Sequence, residues 1–250
     1  TIDIFDYGRT EDGTFYYVME YLPGLSLADL VKQFGPLTPA RAVHFLRQTC
    51  QALREAHQIG LVHRDIKPAN IFAAVRGGIY DVAKLLDFGL VRPMQTESQD
   101  LGLTQESGGG FTGTPLFMSP EQGTAQAALD VRSDIYSLGA TAYFLLTGRA
   151  PFPGTNVVQV LLAHARDPVT PPTQFNSAIP ADLEQIVLKC LAKDRNDRFS
   201  DVYQLEKALT HCSVANQWTD EDAAHWWLET DGVIPPEYPN LHAEKTEPLN

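Results

Sequence analysis

The segment from His63 to Asp87 constrains this chain of 250 residues more than any other stretch. It begins with a polar octapeptide at residues 63–70. Two short, mainly apolar runs follow at 71–74 and 83–86, with a glycine pair between them at 77–78. Two apolar runs separated by a Gly-Gly turn predict a β-hairpin. Because Asn70 and Asp87 fall at the two open ends of that hairpin, their side chains can converge. Amide and carboxylate oxygens are ligands that Mg²⁺ accepts, so this pair is a candidate metal site.

The polar octapeptide also carries Asp65 and Lys67, close to Asn70. An Asp can orient a hydroxyl and a Lys can neutralise phosphate charge, which together with a metal site is the chemistry of phosphoryl transfer. His-Arg-Asp-Ile-Lys-Pro-Ala-Asn and the later Asp87-Phe88-Gly89 resemble the catalytic loop and metal-binding motif of protein kinases. The presence of Lys67 is typical of serine/threonine specificity. The resemblance implies that Asp65 accepts the substrate's hydroxyl proton, Lys67 steadies the transferring group, and Asn70 and Asp87 hold Mg²⁺ or Mn²⁺.

Upstream, residues 15–22 predict a strand rich in aromatic and β-branched residues, ended by Pro23-Gly24, with a shorter strand at 2–7 before it. The end of the second strand, Met-Glu-Tyr-Leu-Pro-Gly, resembles the last strand and the hinge of a kinase small lobe. That resemblance implies an ATP site in which Met19 is the gatekeeper. Its further members are the backbone of Glu20 and Leu22 at the adenine edge, Ser26 near the ribose and Phe72 beneath the adenine. If these two strands are considered without the rest of the chain, a plain edge hairpin with no nucleotide site remains the alternative.

Most of the remaining chain has helical patterns. Thr38 and Pro39 predict a helix start, and an apolar stripe follows at alternating spacings of three and four residues. Its members are Val43, Leu46, Cys50, Leu53 and His57. Residues 130–146 predict a helix that is apolar nearly all round and therefore buried. The expected fold is α+β and kinase-like: a remnant of the small lobe and the hinge at 1–22, the helical large lobe at 23–211, and a C-terminal extension at 212–250. In that extension, residues 220–228 predict a short helix whose tryptophans pack back on the lobe, followed by a linker.

Residues 90–112 are polar and aperiodic, and they predict a mobile loop. In kinases this position is the activation segment, which phosphorylation orders through arginine contacts. The resemblance implies Arg64 as the receptor for the phosphate. The hydroxyls available are Thr104, Ser107, Thr112 and Thr114, of which Thr112 is the preferred candidate.

Residues 113–121 resemble the segment that docks the substrate, with Ser119 where the family usually has Ala. The resemblance implies that Thr114 bonds the catalytic Asp and Lys, and that Glu121 pairs with Arg198. It also implies that Asp134 bonds the backbone of the catalytic loop, although Asp near a helix start has an equally ordinary role as an N-terminal charge. Phe199 stands where Pro usually follows that Arg. His63, Phe88 and Gly89 complete the structural positions of the motifs.

The overall composition limits the classes of binding partner and the cellular location that we expect. A net charge of −12 argues against nucleic acid, whose phosphates need a basic surface. The three cysteines have no metal spacing, and Cys50 and Cys190 lie in helical apolar patterns, which predicts buried free thiols in a reducing cytoplasm. No stretch is long and apolar enough to span a membrane, although an anchor elsewhere in a longer parent stays open. The expected partners are protein substrates with Ser or Thr, and a second copy for trans-autophosphorylation.

Two parts of the kinase mechanism are missing: no Gly-x-Gly-x-x-Gly loop and no Val-Ala-x-Lys strand lie before the hinge. We therefore expect the chain to be a piece of a longer protein that binds ATP poorly by itself. Three functions remain in competition. The favoured one is the large lobe of an active serine/threonine protein kinase; the others are a pseudokinase scaffold and a small-molecule kinase of related fold. The intact Asp65, Asn70 and Asp87 disfavour the scaffold, and the peptide-docking segment disfavours the small-molecule kinase.

Overall fold

The computed structural model describes residues 4–10, 12–86, 115–124 and 129–230. Strands lie in the first part of the chain, and helices dominate the remainder. The elements are β1 Ile4–Arg9, β2 Phe15–Met19, β3 Gly24–Ser26, α1 Leu27–Phe34, α2 Pro39–Gln58, β4 Ile71–Arg76, β5 Ile79–Leu85, α3 Pro120–Thr124, α4 Val131–Thr147, α5 Val157–Arg166, α6 Ala181–Cys190, α7 Val202–His211 and α8 Asp220–Glu229. This arrangement confirms the α+β class.

The predicted hairpin forms from β4 and β5. Its turn residues, Gly77 and Gly78, have φ of +57° and +79°. Positive φ at both central residues defines the tight turn that matches the twist of two antiparallel strands. β3 pairs with the other edge of β4, which gives the sheet order β3-β4-β5. Where the hairpin opens, Leu86 N donates to Asn70 O at 2.8 Å, so the two ends lie side by side.

The core lies mainly among helices α1, α2, α4, α6 and α7, and the hairpin joins it through Ile71, Ala73 and Leu85. The Thr38 hydroxyl caps α2 by accepting from Arg41 N, and Pro39 occupies the first turn. The stripe of α2 is buried as predicted, except that His57 contacts Asp134 rather than the apolar core. α4 is buried on nearly every side and packs against α2, α6 and α7. The cysteines are free and buried, and burial raises their thiol pKa values, that of Cys190 to about 12.

The structure differs from the sequence prediction at the hinge. Pro23-Gly24 predicted only a break, whereas Gly24 begins β3 and runs against β4. A Cβ on Gly24 would lie 2.0 Å from the Ala73 carbonyl oxygen, and φ there is +141°. Glycine is therefore required by the close approach of two backbones and not by a turn. The strand before it, β2, is shorter than predicted and ends at Met19.

The C-terminal helix α8 forms where the tryptophan-containing segment predicted it. Thr219 and Asp222 cap its start reciprocally, each side chain bonding the other's backbone N–H. Trp227 on this helix is 2% exposed, so α8 is docked on the lobe. β1 and β2 form a separate two-stranded ribbon with exposed apolar side chains, among them Phe5 and Tyr7.

Candidate active site

Asp134, in the first turn of α4, holds the start of the catalytic loop. Its carboxylate is fully buried. Oδ2 accepts from His63 N at 2.8 Å and lies 2.9 Å from His57 Nε2, while Oδ1 accepts from Arg64 N at 2.8 Å. These bonds stabilise Arg64 at a φ of +69°, a conformation that non-glycine residues rarely adopt. The N-cap of α4 is Asp130, and Asp134 in the first turn bonds the loop while also placing a negative charge near the helix start.

His63 connects the catalytic loop to the end of β5. Its ring is fully buried. Asp65 N lies 3.3 Å from Nδ1, and Nε2 lies 2.9 Å from Leu86 O. Since the amide of Asp65 can only donate, Nδ1 accepts and Nε2 donates its proton to the Leu86 carbonyl. The imidazole of His63 therefore links the backbone of Asp65 to the end of the hairpin.

The structure brings Asp65, Lys67 and Asn70 together. Lys67 Nζ donates to Asp65 Oδ2 at 2.8 Å. Asn70 Nδ2 donates to the same Oδ2 and to Asp65 O, both at 2.9 Å. With two donors on Oδ2, Oδ1 is the oxygen that can accept from a substrate. Asp65 and Lys67 remain partly exposed, whereas Asn70 is buried.

One oxygen donor at the open end of the hairpin is of a type that a hard divalent cation accepts. The Asn70 amide nitrogen is committed to Asp65, which leaves its amide oxygen as the donor for a metal. Asp87, the other proposed ligand, lies outside the described residues, as do Phe88, Gly89, Thr112 and Thr114. Within the part of the chain that is described, no group of three His, Cys, Asp or Glu side chains could hold a metal by itself.

The residues proposed for the ATP site line the hinge and the adjoining sheet. Met19 ends β2 and is 47% exposed, and Leu22 and Phe72 are half-buried. Glu20 Oε1 accepts from Lys84 Nζ on β5 at 3.0 Å, so the hinge is held to the hairpin by an ion pair that is largely buried. A second tie is the bond from Val75 N to Pro23 O at 2.8 Å.

Ser26, which the resemblance places near a ribose, has a clear local role in the structure. It is buried and is the N-cap of α1. Its hydroxyl oxygen accepts from Asp29 N at 3.1 Å, and the hydroxyl donates to Asp29 Oδ2 at 2.6 Å. The hydroxyl is thus engaged within its own helix turn.

Glu121 and Arg198, distant in sequence, form a bidentate ion pair beside the substrate-docking segment. Arg198 Nη1 and Nη2 lie 2.7 and 2.9 Å from the two Glu121 oxygens. The Ser133 hydroxyl adds a third bond to the carboxylate at 2.8 Å. Burial alone raises the pKa of Glu121, but the hydrogen bonds and charge of Arg198 outweigh it and hold that pKa below its ordinary value.

Two further side chains, which the sequence did not single out, position the same segment. Gln122 Nε2 donates to Arg64 O at 2.7 Å, while its Oε1 accepts from Ser119 N and Oγ. It therefore ties the docking segment to the catalytic loop. His164 on α5 lies 3.1 Å from Leu116 O and 2.8 Å from the Tyr136 hydroxyl. Burial lowers the pKa of His164 to about 4, so it stays neutral at physiological pH.

The model of the protein kinase domain family matches residues 2–213. The chain belongs to this family. The match covers the hinge, the catalytic loop, the docking segment and the helices of the large lobe. It ends before Trp218 and α8, which therefore lie outside the part of the chain that the family model describes.

The chain is similar to curated bacterial kinases. It is 37% identical over 211 residues to serine/threonine-protein kinase PknB of Mycobacterium tuberculosis, covering 83% of this chain and 32% of the relative. It is 39% identical over 208 residues to serine/threonine-protein kinase Pkn1 of Myxococcus xanthus, covering 83% of this chain and 29% of the relative. The chain therefore spans about a third of the length of these relatives.

Among solved structures, the fold is similar to that of Rad53 residues 1–466 in complex with AMP-PNP. The TM-score is 0.65 at 25% sequence identity, and the similarity covers 84% of this chain and 49% of that chain. This likeness confirms the kinase-like fold.

In the described residues, no helix has the length and apolar character needed to cross a membrane.

Proposed function

We propose that this chain is the large lobe and hinge of a protein serine/threonine kinase, which transfers the γ-phosphoryl group of ATP to Ser or Thr hydroxyls of proteins. The observation that carries the proposal is the arrangement of Asp65, Lys67 and Asn70 on a loop held by the buried Asp134. The family membership and the serine/threonine-protein kinases among the relatives support it.

The chemistry proposed for this chain is mainly positioning. Asp65 Oδ1 orients the substrate hydroxyl for in-line attack and accepts its proton, while Lys67, 2.8 Å from Oδ2, is placed to neutralise charge on the transferring phosphoryl group. Asn70 and Asp87 would hold Mg²⁺ or Mn²⁺. When bound, the cation neutralises phosphate charge. Because Asn70 also donates to Asp65, the metal-binding side chain and the base share one rigid unit.

The nucleotide side of the proposal rests on the hinge. The backbone of Glu20 and Leu22 would meet the adenine edge, next to Met19 and Phe72, and the similar Rad53 structure is a complex with AMP-PNP. The phosphate-covering loop and the ATP-binding Lys have no counterpart before the hinge in this sequence. We therefore expect weak ATP binding and negligible turnover from these 250 residues alone.

The proposal extends to regulation and partners. A second copy of the kinase would phosphorylate the segment 90–112 in trans, with Thr112 as the first candidate. The new phosphate would then bind Arg64. Thr114 would bond Asp65 and Lys67 in the ordered segment. Protein substrates are expected in a reducing cytoplasm, which suits three buried free thiols.

The test is mass spectrometry of the full-length protein after incubation with ATP and Mg²⁺. We expect added phosphate on Ser or Thr residues of the protein itself and of a basic protein acceptor. Parallel reactions offer sugars and aminoglycosides as acceptors. Transfer to these alone would establish the small-molecule kinase, and nucleotide binding without any transfer would establish the scaffold.

A further inference from the structure

A buried network joins the C-terminal segment to the catalytic hairpin. At its centre is Asp81 on β5, whose side chain is fully buried. Arg41 of α2 donates to it through Nε and Nη2, both at 2.8 Å. Trp218 Nε1 donates to Oδ2 at 3.0 Å, and Trp227 Nε1 donates to Oδ1 at 2.7 Å. We call these four residues, Asp81, Arg41, Trp218 and Trp227, the tail clamp.

The tail clamp acts on an irregular point of the hairpin. β4 and β5 pair as Ala74 with Val82 but as Arg76 with Ile79, so two residues of β5 lie opposite one of β4. This β-bulge contains Asp81, whose φ is +54°. A non-glycine residue keeps such a conformation only when its surroundings impose it. The four donors to the carboxylate supply that constraint, and His44 and Gln48 of α2 contact the Asp81 carbonyl oxygen as well.

The bulge decides which face Lys84 occupies. With it, Phe72 pairs with Lys84 and Ile71 pairs with Leu85. The turn at Gly77-Gly78, continued without the extra residue, would instead place Lys84 opposite Ile71. Cross-strand partners share a face, and Ile71 is buried in the core. The bulge therefore keeps Lys84 on the face where it reaches Glu20 of the hinge at 3.0 Å.

We propose that the tail clamp makes the C-terminal segment a positioning element of the ATP site: Trp218 and Trp227 hold the Asp81 bulge, which presents Lys84 to Glu20 and sets the hinge. This rests on the proposed ATP-binding function of the hinge. The end of β5 has its own supports, since Leu86 bonds Asn70 O and His63. Loss of the clamp should therefore weaken ATP binding more than it slows the chemical step.

The experiment uses the full-length protein with Trp227→Phe, which removes the N–H donor to Asp81 but keeps an aromatic ring. Substitution of Asp81 itself would leave Arg41 buried without its partner and endanger folding. The matched control is Trp226→Phe on the same helix. The Trp226 ring lies 3.8 Å from the Arg41 guanidinium and packs on Phe34, and the contacts to the Asp81 carboxylate described above do not involve it.

Two readouts are measured. In Trp227→Phe, KM for Mg²⁺–ATP should rise on the order of fivefold, the equivalent of one hydrogen bond, with kcat within about twofold. Amide hydrogen exchange of residues 79–86, without nucleotide, should accelerate by a similar factor. Trp226→Phe should change neither. The exchange measurement does not depend on kinase activity. If the protein transfers no phosphate, the proposed function is refuted, but hydrogen exchange of residues 79–86 still tests the tail clamp.

The opposing results are equally definite. If Trp227→Phe leaves both exchange of 79–86 and KM for Mg²⁺–ATP unchanged, the tail clamp does not position the hairpin. If both tryptophan variants accelerate exchange equally, general packing of α8 is responsible and the proposal is overturned. If exchange accelerates only in Trp227→Phe while kcat falls and KM does not change, the clamp acts on the catalytic end and not on the hinge, which also contradicts the proposal.

Discussion

Replacing Glu121 by Gln tests how much the ion pair beside the substrate-docking segment contributes to stability. The variant keeps the shape of the side chain, but it loses one of two bonded oxygens and turns an amide N–H₂ towards Arg198. That guanidinium is fully buried, so its charge would lack a counter-ion. Breaking one partner of a buried pair costs about 3–5 kcal/mol, which for a chain of this length lowers Tm by roughly 6–20 °C.

The pH dependence of the stability loss in Glu121→Gln shows whether the ion pair is its cause. Arg198 holds the folded-state pKa of Glu121 below its ordinary value of 4.5. A depressed pKa stabilises the folded state above the unfolded-state pKa, and this contribution is lost as pH falls through the folded pKa. The difference between wild type and variant in denaturant unfolding should thus be full at pH 7 and shrink below about pH 4.5. The control is Glu55→Gln on the exposed surface of α2, which should change stability by less than about 0.5 kcal/mol. A loss below about 1 kcal/mol for Glu121→Gln, or a loss that does not depend on pH, would refute this reasoning.

Other substitutions test further parts of the site. Asp134→Asn puts an amide N–H₂ against the backbone donor of either His63 or Arg64, so kcat of the full-length protein should fall roughly 100-fold or more in steady-state assays; a normal kcat would contradict its role. Gly24→Ala should destabilise the chain by more than about 3 kcal/mol in urea unfolding, since its Cβ would lie 2.0 Å from a carbonyl oxygen, and a neutral effect would show that β3 can move away. The 250-residue chain alone should show negligible phosphotransfer, and robust phosphorylation of a basic protein by it would show that transfer needs neither a Gly-x-Gly-x-x-Gly loop nor a Val-Ala-x-Lys strand.

Local patterns in the sequence predicted the elements that position the site. The Gly77-Gly78 turn, the Thr38 cap and the stripe of α2 each depend on residues close together in the chain, and each is found in the structure. The motif at 63–70 identified individual site residues, because its combination of residue types at that spacing is rare. Local information was misleading at Gly24, where a residue that usually marks a turn allows two strands to approach.

Contacts between distant residues were not readable in the same way. Asp81 bonds Trp227, 146 positions away, and nothing near Asp81 specifies that partner. An Asp in the middle of a strand was the available signal, since Asp is depleted in strands and a buried carboxylate needs a partner. Gln122 had no signal of its own, because its role depends on the carbonyl of Arg64, which only the fold brings within reach.

The central claim is that Asp65 is the base of a phosphoryl-transfer site, and transfer of labelled γ-phosphate tests it most directly. The assay compares the full-length protein with its Asp65→Asn variant, with circular dichroism to verify folding, and with Asp197→Asn at an exposed position as the matched control. We predict label on Ser or Thr of a protein acceptor for wild type and Asp197→Asn, and a loss of at least about 1,000-fold for a folded Asp65→Asn variant. Undiminished transfer by Asp65→Asn would contradict the account.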